Sequence, residues 1–355
     1  MMAMKTSRLD EFPWDHVKKL CEEPVKESLS KERLEAFGAR NFCSEWKESM
    51  RKTGQFVAKN FVRVPDAEFP LFKEPTFPSS GLSITKELKR LQLAGPMKDC
   101  RQIRHHWIEF ENILSVLAGN PGSGIKSGKP DPIILQGRPV FIGGRMKNLA
   151  TCWMKESQER IFSVFRFNNL ILLREQITTP WKWEEGHAFE SLFKKSNQGE
   201  FCTISRGQIG GKTVFICGEV DAVDKDNRLV EIKMTDPRVT KRITLHQAWF
   251  QTFISGVEVV KYGVLNKNGN VTGVREINAQ EMLQKDFDKQ RAELHFGVLD
   301  TVLTFLEKTV DSMQMYYLHL PKESDEVFLY KQKKAEFDCQ RGPPKEFAWY
   351  FHSHE

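Results

Sequence analysis

Two short stretches of this 355-residue chain set charged residues two apart: Glu219 and Asp221 in Gly-Glu-Val-Asp, and Glu231 and Lys233 in Val-Glu-Ile-Lys. In a strand, side chains two apart point to one face, so each stretch presents its pair together and turns Val220 or Ile232 toward the core. Residues 224–228 are rich in Asp and Asn and read as a turn. If the chain doubles back there, the strands pair and three carboxylates meet one ammonium. Clustered carboxylates resist ionisation until a cation compensates them, and an all-oxygen ligand set favours Mg2+ or Mn2+ over zinc, with room for two ions. A lysine beside them can hold an attacking water or stabilise charge building on a phosphoryl oxygen. The competing reading is a solvated hairpin face with cross-strand ion pairs. The apolar residues flanking both pairs favour the chemical one.

Two more polar residues sit where they could join this set. Glu190, in Glu-Gly-His-Ala-Phe-Glu, lies on a predicted helix four residues after Gly186, where a small residue would let backbone or substrate approach. It could supply a fourth carboxylate, although a helical Glu is ordinarily a surface residue. Gln251 lies among Trp249, Phe250 and Phe253. It is either a polar residue capped at the core edge or a donor aimed into the site.

Residues 161–167 and 170–174 are apolar runs joined by Asn168-Asn169, a hairpin signature. Residues 183–195 look helical, 213–223 and 229–234 read as strands, and 243–255 as a helix with apolar positions at Leu245, Ala248, Trp249, Thr252 and Phe253. Strands follow at 257–265 and 271–277 around the turn 266–270, then helices at 279–294 and 298–311. Hairpins with intervening helices predict an α/β (mixed α+β) fold, a mixed β-sheet flanked by helices and not a regular doubly wound one.

The first 95 residues are less regular: helical candidates at 15–23 and 30–37, then a run at 64–80 rich in Pro and Phe that reads as extended chain wrapping a core. Residues 120–132 form a Gly-, Ser- and Pro-rich loop. It is no phosphate loop, since Pro130 follows Lys129 where Ser or Thr is required. The expected organisation is a single domain, residues 1–355, with the wrapping segment at about 1–95 and a catalytic core at about 135–310.

Composition narrows the function classes. No stretch approaches the roughly 18 apolar residues of a membrane span, and residues 1–15 carry charges without a secretory apolar run. The expectation is an intracellular protein with reduced thiols. The seven cysteines are scattered and never spaced as CxxC, against a disulfide framework or zinc knuckle. A formal charge of +6 suits a polyanionic partner. Trp181 and Trp183 either stack on bases or fill the core, with the core favoured by their place at a helix start.

Taken in order, Gly-His-Ala-Phe-Glu, Gly-Glu-Val-Asp, Val-Glu-Ile-Lys and the helix Ala-Trp-Phe-Gln-Thr-Phe-Ile-Ser-Gly-Val resemble the DXO decapping exoribonuclease family, most densely from about Arg145 to Leu265. The resemblance implies a PD-(D/E)xK-nuclease-like sheet and removal of incomplete or non-canonical caps from RNA 5′ ends, NAD and pyrophosphate included. It also implies 5′-to-3′ exonuclease action in some members. By position it implies metal binding by Glu219, Asp221 and Glu231, by Glu190 directly or through water, and by the Ile232 carbonyl. Lys233 and Gln251 would contact the scissile phosphate or attacking water, and Arg145, with Arg138 second, the RNA phosphates. Implied partners are RNA 5′ ends (capped, triphosphate or NAD-capped) and a 5′-to-3′ exoribonuclease, with nuclear residence favoured over cytoplasmic. His187 and Ala188 stand where the family usually has an aromatic residue and a lysine. A DNA nuclease of the same fold, or an inactive protein that binds RNA or stabilises an exoribonuclease, fits the same residues.

Overall fold

A computed structural model describes residues 21–24, 29–30, 57–63, 71–93, 140–144, 146–151, 159–167, 169–176, 184–193, 201–236, 242–283, 286–322 and 326–333. Strands β1 (Cys21–Pro24), β2 (Leu29–Ser30), β3 (Val57–Arg63), β4 (Val140–Gly144), β5 (Arg160–Phe167), β6 (Leu170–Gln176), β7 (Phe201–Ile209), β8 (Lys212–Val220), β13 (Met315–Leu320) and β14 (Glu326–Gln332) form a mixed sheet. Its order is β1-β14-β13-β5-β6-β4-β8-β7-β3, with β2 also pairing β14. A second sheet has the order β12-β11-β10-β9, from β9 (Ala222–Val223), β10 (Leu229–Lys233), β11 (Val259–Leu265) and β12 (Val271–Asn278). The helices are α1 (Ile84–Leu93), α2 (Met146–Ala150), α3 (Glu185–Ser191), α4 (Arg242–Ser255) and α5 (Asp286–Thr309). The expected mixed, helix-flanked architecture is present.

The sheets enclose α2, α4 and α5. Phe141, Phe162, Val164, Leu173, Ile216 and Leu318 from the large sheet, Val260 and Tyr262 from the small one, and Phe250, Phe296 and Leu303 from the helices share one buried core. The outer face of the small sheet is covered by α1 and α3, where Ile84, Leu91, Phe189 and Phe193 pack on Val230, Ile232 and Val271. The hairpin β7–β8 turns through Gly210 and Gly211, both at positive φ, which suits the twist of a two-residue turn. A Cβ at Gly210 would lie 1.9 Å from the Asp300 carboxylate. Asp300, on α5, accepts from Lys212 at 2.7 Å, so this hairpin end is pinned to the helix.

The hairpin of 161–174 forms with Phe167 opposite Leu170, and residues 71–78 carry no helix before a turn at 79–80, with Leu71 bridging to Val223 and Leu82 to Val271. Four expectations are corrected. Residues 21–23, read as the end of a helix, stand in β1: Pro24 disfavours helical backbone before it, and Cys21 pairs with Gln332. Ser30, read as a helix start, pairs with Glu326 in β2. The strand read over 213–223 breaks at Asp221, and its halves lie in different sheets. The helices read at 279–294 and 298–311 are a 3-10 turn (Ala279–Met282) and one α5 spanning both. A glycine inside a helix costs only about 1 kcal/mol, and α5 is buried on both sides of Gly297, through Phe296, Val298 and Leu299. Residues 15–20, 31–37, 64–70, the loop 120–132, Arg138, Arg145, Trp181 and Trp183 lie outside the described residues.

Candidate active site

The acids gather where the chain passes between the sheets. β8 stays in the large sheet as far as Val220, and Ala222 already pairs with Val230 in the small one. Asp221 lies between them, 8% exposed. β9 pairs β10 only at Leu229↔Val223 and Val230↔Ala222, so beyond Val230 that edge of β10 carries no strand among the described residues. Asp221 takes the vacant place: its Oδ2 accepts the Ile232 N–H at 2.7 Å. In a strand, the N–H and C=O of one residue face the same neighbour. The Ile232 carbonyl therefore also faces the edge where Asp221 sits.

Ile232 and Val230 pack toward α3, and alternation puts Glu231 and Lys233 together on the other face. Glu231 is 3% exposed. Its Oε1 accepts from the Lys233 ammonium and from Gln251 Nε2 on α4, the latter at 3.0 Å. Gln251 Oε1 in turn accepts from Lys147 on α2 at 2.6 Å. A lysine only donates and an ionised carboxylate only accepts, so the amide between them has one satisfactory orientation. Burial works to strip the proton from Lys233, but the carboxylates of Glu231, Asp221 and Glu190 outweigh it and hold its pKa above that of free lysine. At neutral pH Lys233 is therefore a positive charge and a hydrogen-bond donor.

Glu190 belongs to this field through α3. The Glu184 N–H donates to His187 Nδ1 at 3.2 Å at the helix start, and Ser191 Oγ donates to Glu87 on α1 at 2.8 Å. Phe189 is the main anchor, its ring 4.8 Å from that of Phe193. It lies against Gly263 of β11, where a Cβ would sit 2.7 Å from the Phe189 ring and 2.8 Å from the Met234 carbonyl. Only a glycine lets α3 approach this closely. Gly186, read from sequence as a point of close approach, has no neighbour within 4 Å of where its Cβ would lie among the described residues.

The structure thus brings together Asp221, Glu231, Ile232, Lys233 and Gln251, with Glu190 in electrostatic reach. Glu219 stands on β8 opposite Cys202 of β7, with its side chain outside the described part. Arg145 also falls outside. Among the described residues no three His, Cys, Asp or Glu side chains converge as a complete metal-ligand set; the Asp221 carboxylate and the Ile232 carbonyl do share the edge, with the Glu231 carboxylate on the adjoining face. All are hard oxygen donors, as Mg2+, Mn2+ or Ca2+ requires. Sequence reasoning passed over Lys147, 104 residues from the glutamine it touches. Its only sequence signal is its place two residues after Arg145.

A family model described as RAI1 like PD-(D/E)XK nuclease matches residues 141–345. The chain belongs to this family. Glu231-Ile232-Lys233 supplies the (D/E)XK spacing, and nucleases of this family are hydrolases. The curated decapping nuclease RAI1 of Yarrowia lipolytica is 26% identical over 141 residues, 36% of this chain. The match spans 39% of that relative's length. Among solved structures, Scheffersomyces stipitis Rai1 in complex with (3′-NADP)+ and calcium superposes with a TM-score of 0.60 at 15% identity, over 84% of this chain and 95% of the other. Candida albicans Rai1 in complex with pU5-Mn2+ gives a TM-score of 0.53 at 14% identity, over 79% and 90%. These likenesses establish the RAI1-like fold.

Proposed function

We propose that the chain is a divalent-metal-dependent hydrolase that removes incomplete or non-canonical caps, NAD caps included, from RNA 5′ ends in RNA quality control, and continues with 5′-to-3′ exonuclease action. The observation that carries this reading is the buried Glu231 carboxylate, held between an ammonium and an amide at the strand edge that Asp221 caps. It is supported by the decapping activity named for the curated relative and by the dinucleotide, RNA and divalent ions named in the neighbours.

In this reading Asp221, Glu231, Glu219 and the Ile232 carbonyl would hold two Mg2+ or Mn2+ ions, with Glu190 binding directly or through water. Such ions lower the pKa of water and neutralise charge on phosphoryl oxygens. Lys233 donates to the attacking water or to the oxygen on which charge builds. Gln251 holds the Glu231 carboxylate in register, and Arg145 grips phosphates of the RNA. The whole chain works as one domain, with residues of about 1–95 wrapping a core of about 135–310, in the nucleus and beside a 5′-to-3′ exoribonuclease.

The test is incubation of purified protein with RNAs bearing a 5′-triphosphate, monophosphate, unmethylated cap, methylated cap or NAD, plus single-stranded DNA, with Mg2+, Mn2+ or EDTA. Release of a terminal fragment that EDTA stops and Glu231→Gln abolishes is the expected result. Cleavage of DNA alone would make it a DNA nuclease. A folded, inert protein that co-purifies with an exoribonuclease would make it a stabilising partner.

A further inference from the structure

Lys147 touches Gln251 at the border of this site, the mechanism above leaves it unused, and its surroundings are well tied. It sits on α2, a helix of five residues, too short to hold its place by its own hydrogen bonds. Contacts from β6 and α5 hold it instead. Asn148 donates to both oxygens of Glu175 on β6, at 3.0 and 2.9 Å, and Arg160 of β5 holds the same carboxylate at 2.8 Å. His295 of α5 contacts the Ala150 carbonyl through Nδ1 at 3.2 Å. Thr151 Oγ1 closes the helix end on the Lys147 carbonyl at 2.9 Å. Met146, Leu149 and Ala150 are fully buried in the core shared with α4 and α5. The helix is therefore a fixed mount, and the group it aims at α4 is the Lys147 ammonium.

We propose that Lys147 is a positioning residue that acts on the reaction through Gln251. This rests on the nuclease reading above. A glutamine amide rotates between two near-isosteric orientations, and only one lets it donate to Glu231. By occupying Oε1, Lys147 leaves Nε2 directed at the Glu231 carboxylate, so a single orientation is held before substrate arrives. The run Lys147, Gln251, Glu231, Lys233 alternates donor and acceptor across α2, α4 and β10. Its consequence is that the carboxylate meant for a cation keeps its rotamer when no cation is bound. Preorganisation of this kind shows as a loss in turnover and not in substrate affinity.

The experiment is a double-mutant cycle on the full chain with Lys147→Met, Gln251→Met and the pair, plus Lys147→Arg, read as kcat and KM on the best RNA substrate in Mn2+ and as Mn2+ affinity by calorimetry. Expected are a roughly tenfold fall in kcat for Lys147→Met at unchanged KM, recovery in Lys147→Arg, and a double variant no worse than Gln251→Met. Effects that multiply, or a Lys147→Met loss confined to KM, would overturn the proposal, the latter by showing that Lys147 binds RNA directly. A wild type that cleaves no RNA but binds Mn2+ removes the nuclease reading, and the cycle is then judged on Mn2+ affinity, where additivity again overturns it. A wild type that does neither removes both.

Discussion

Asp221 and Asp224 stand three residues apart, both nearly buried, at 8% and 4% exposure, and both accept hydrogen bonds from backbone N–H groups. What differs is whose backbone they serve. Asp224 closes its own turn: Oδ1 takes the N–H groups of Asp226 and Arg228 at 2.9 and 3.0 Å, and Oδ2 takes the Arg228 guanidinium at 2.8 Å. Arg228 passes the charge on to Glu276, which also binds Lys261. Carboxylate and cation balance within a few residues, the pattern of a carboxylate that stabilises a fold. Asp221 instead reaches across to the edge of β10 that carries no strand beyond Val230 among the described residues, and Glu231 and Glu190 add further negative charge around Lys233. An acid that balances its own turn holds the chain, whereas acids that converge on one lysine between two sheets offer oxygens of the kind the proposed metal site needs.

The contrast can be broken most forcefully at Glu231. Glu231→Gln keeps the shape but removes the charge, and turnover should fall by roughly a thousandfold or more with the melting temperature nearly unchanged, measured by single-turnover RNA cleavage and thermal unfolding. Retained activity would place the chemistry elsewhere. Lys233→Met should cost on the order of a hundredfold in kcat, and because it removes a positive charge it should tighten Mn2+ binding; weaker Mn2+ binding would contradict the charge balance described here. Gly263→Ala drives a methyl into Phe189 and the Met234 carbonyl, so a stability loss of about 1–3 kcal/mol should accompany a fall in activity as α3 lifts with Glu190. Unchanged denaturant midpoints would mean that α3 has room to move.

Asp224→Asn is the converse experiment. It should leave kcat within about twofold while lowering stability by about 1–3 kcal/mol, because the Arg228 guanidinium loses its most buried charged partner and keeps only the more exposed Glu276 and Asp226. The smallest effect is in pH. Desolvation pushes the Asp224 carboxyl upward, but the N–H groups of Arg228 and Asp226 and the Arg228 guanidinium outweigh it and hold the carboxyl below its ordinary value of 3.8. Its contribution is therefore fully present above pH 3.8 and disappears as pH falls through the lower, folded value. Urea midpoints compared for wild type and Asp224→Asn should converge below that pH; a constant gap would show that charge is not what Asp224 contributes.

Much of this was legible in the sequence, and the parts that were not share physical causes. Hairpins with polar turns announced themselves, at 161–174 and around residues 266–270, because alternation and turn chemistry agree there. The pairing of Glu231 with Lys233 followed from strand alternation alone. β13 and β4 escaped because every residue of Met315–Leu320 and Val140–Gly144 is buried, and a strand covered on both faces shows no alternation. β7 and β14 also went unassigned. α5 was split at Gly297 because local propensity does not know that core surrounds it. The break at Asp221 was invisible for another reason. Val, Ile, Thr and Phe recur through residues 213–223 and carry the strand pattern across Asp221, so the competition between two sheets for their hydrogen bonds decides where the strand ends. Lys147 could not be found from sequence, since its meaning lies in a contact between elements far apart in the chain.

The position of β4 sets a timetable for synthesis. It lies between β6 and β8, parallel to both, yet it leaves the ribosome before either. At about 5–20 residues per second, roughly four to fifteen seconds pass before the last residue of β8 follows. Until residue 176 has followed, Val-Phe-Ile-Gly-Gly has neither neighbour, and until residue 220 it still lacks β8, so an apolar segment keeps at least one open edge in the crowded surroundings where chains stick to one another. Yield in cells should therefore respond to translation speed and chaperone supply over residues 144–220 even for variants whose finished fold is unimpaired.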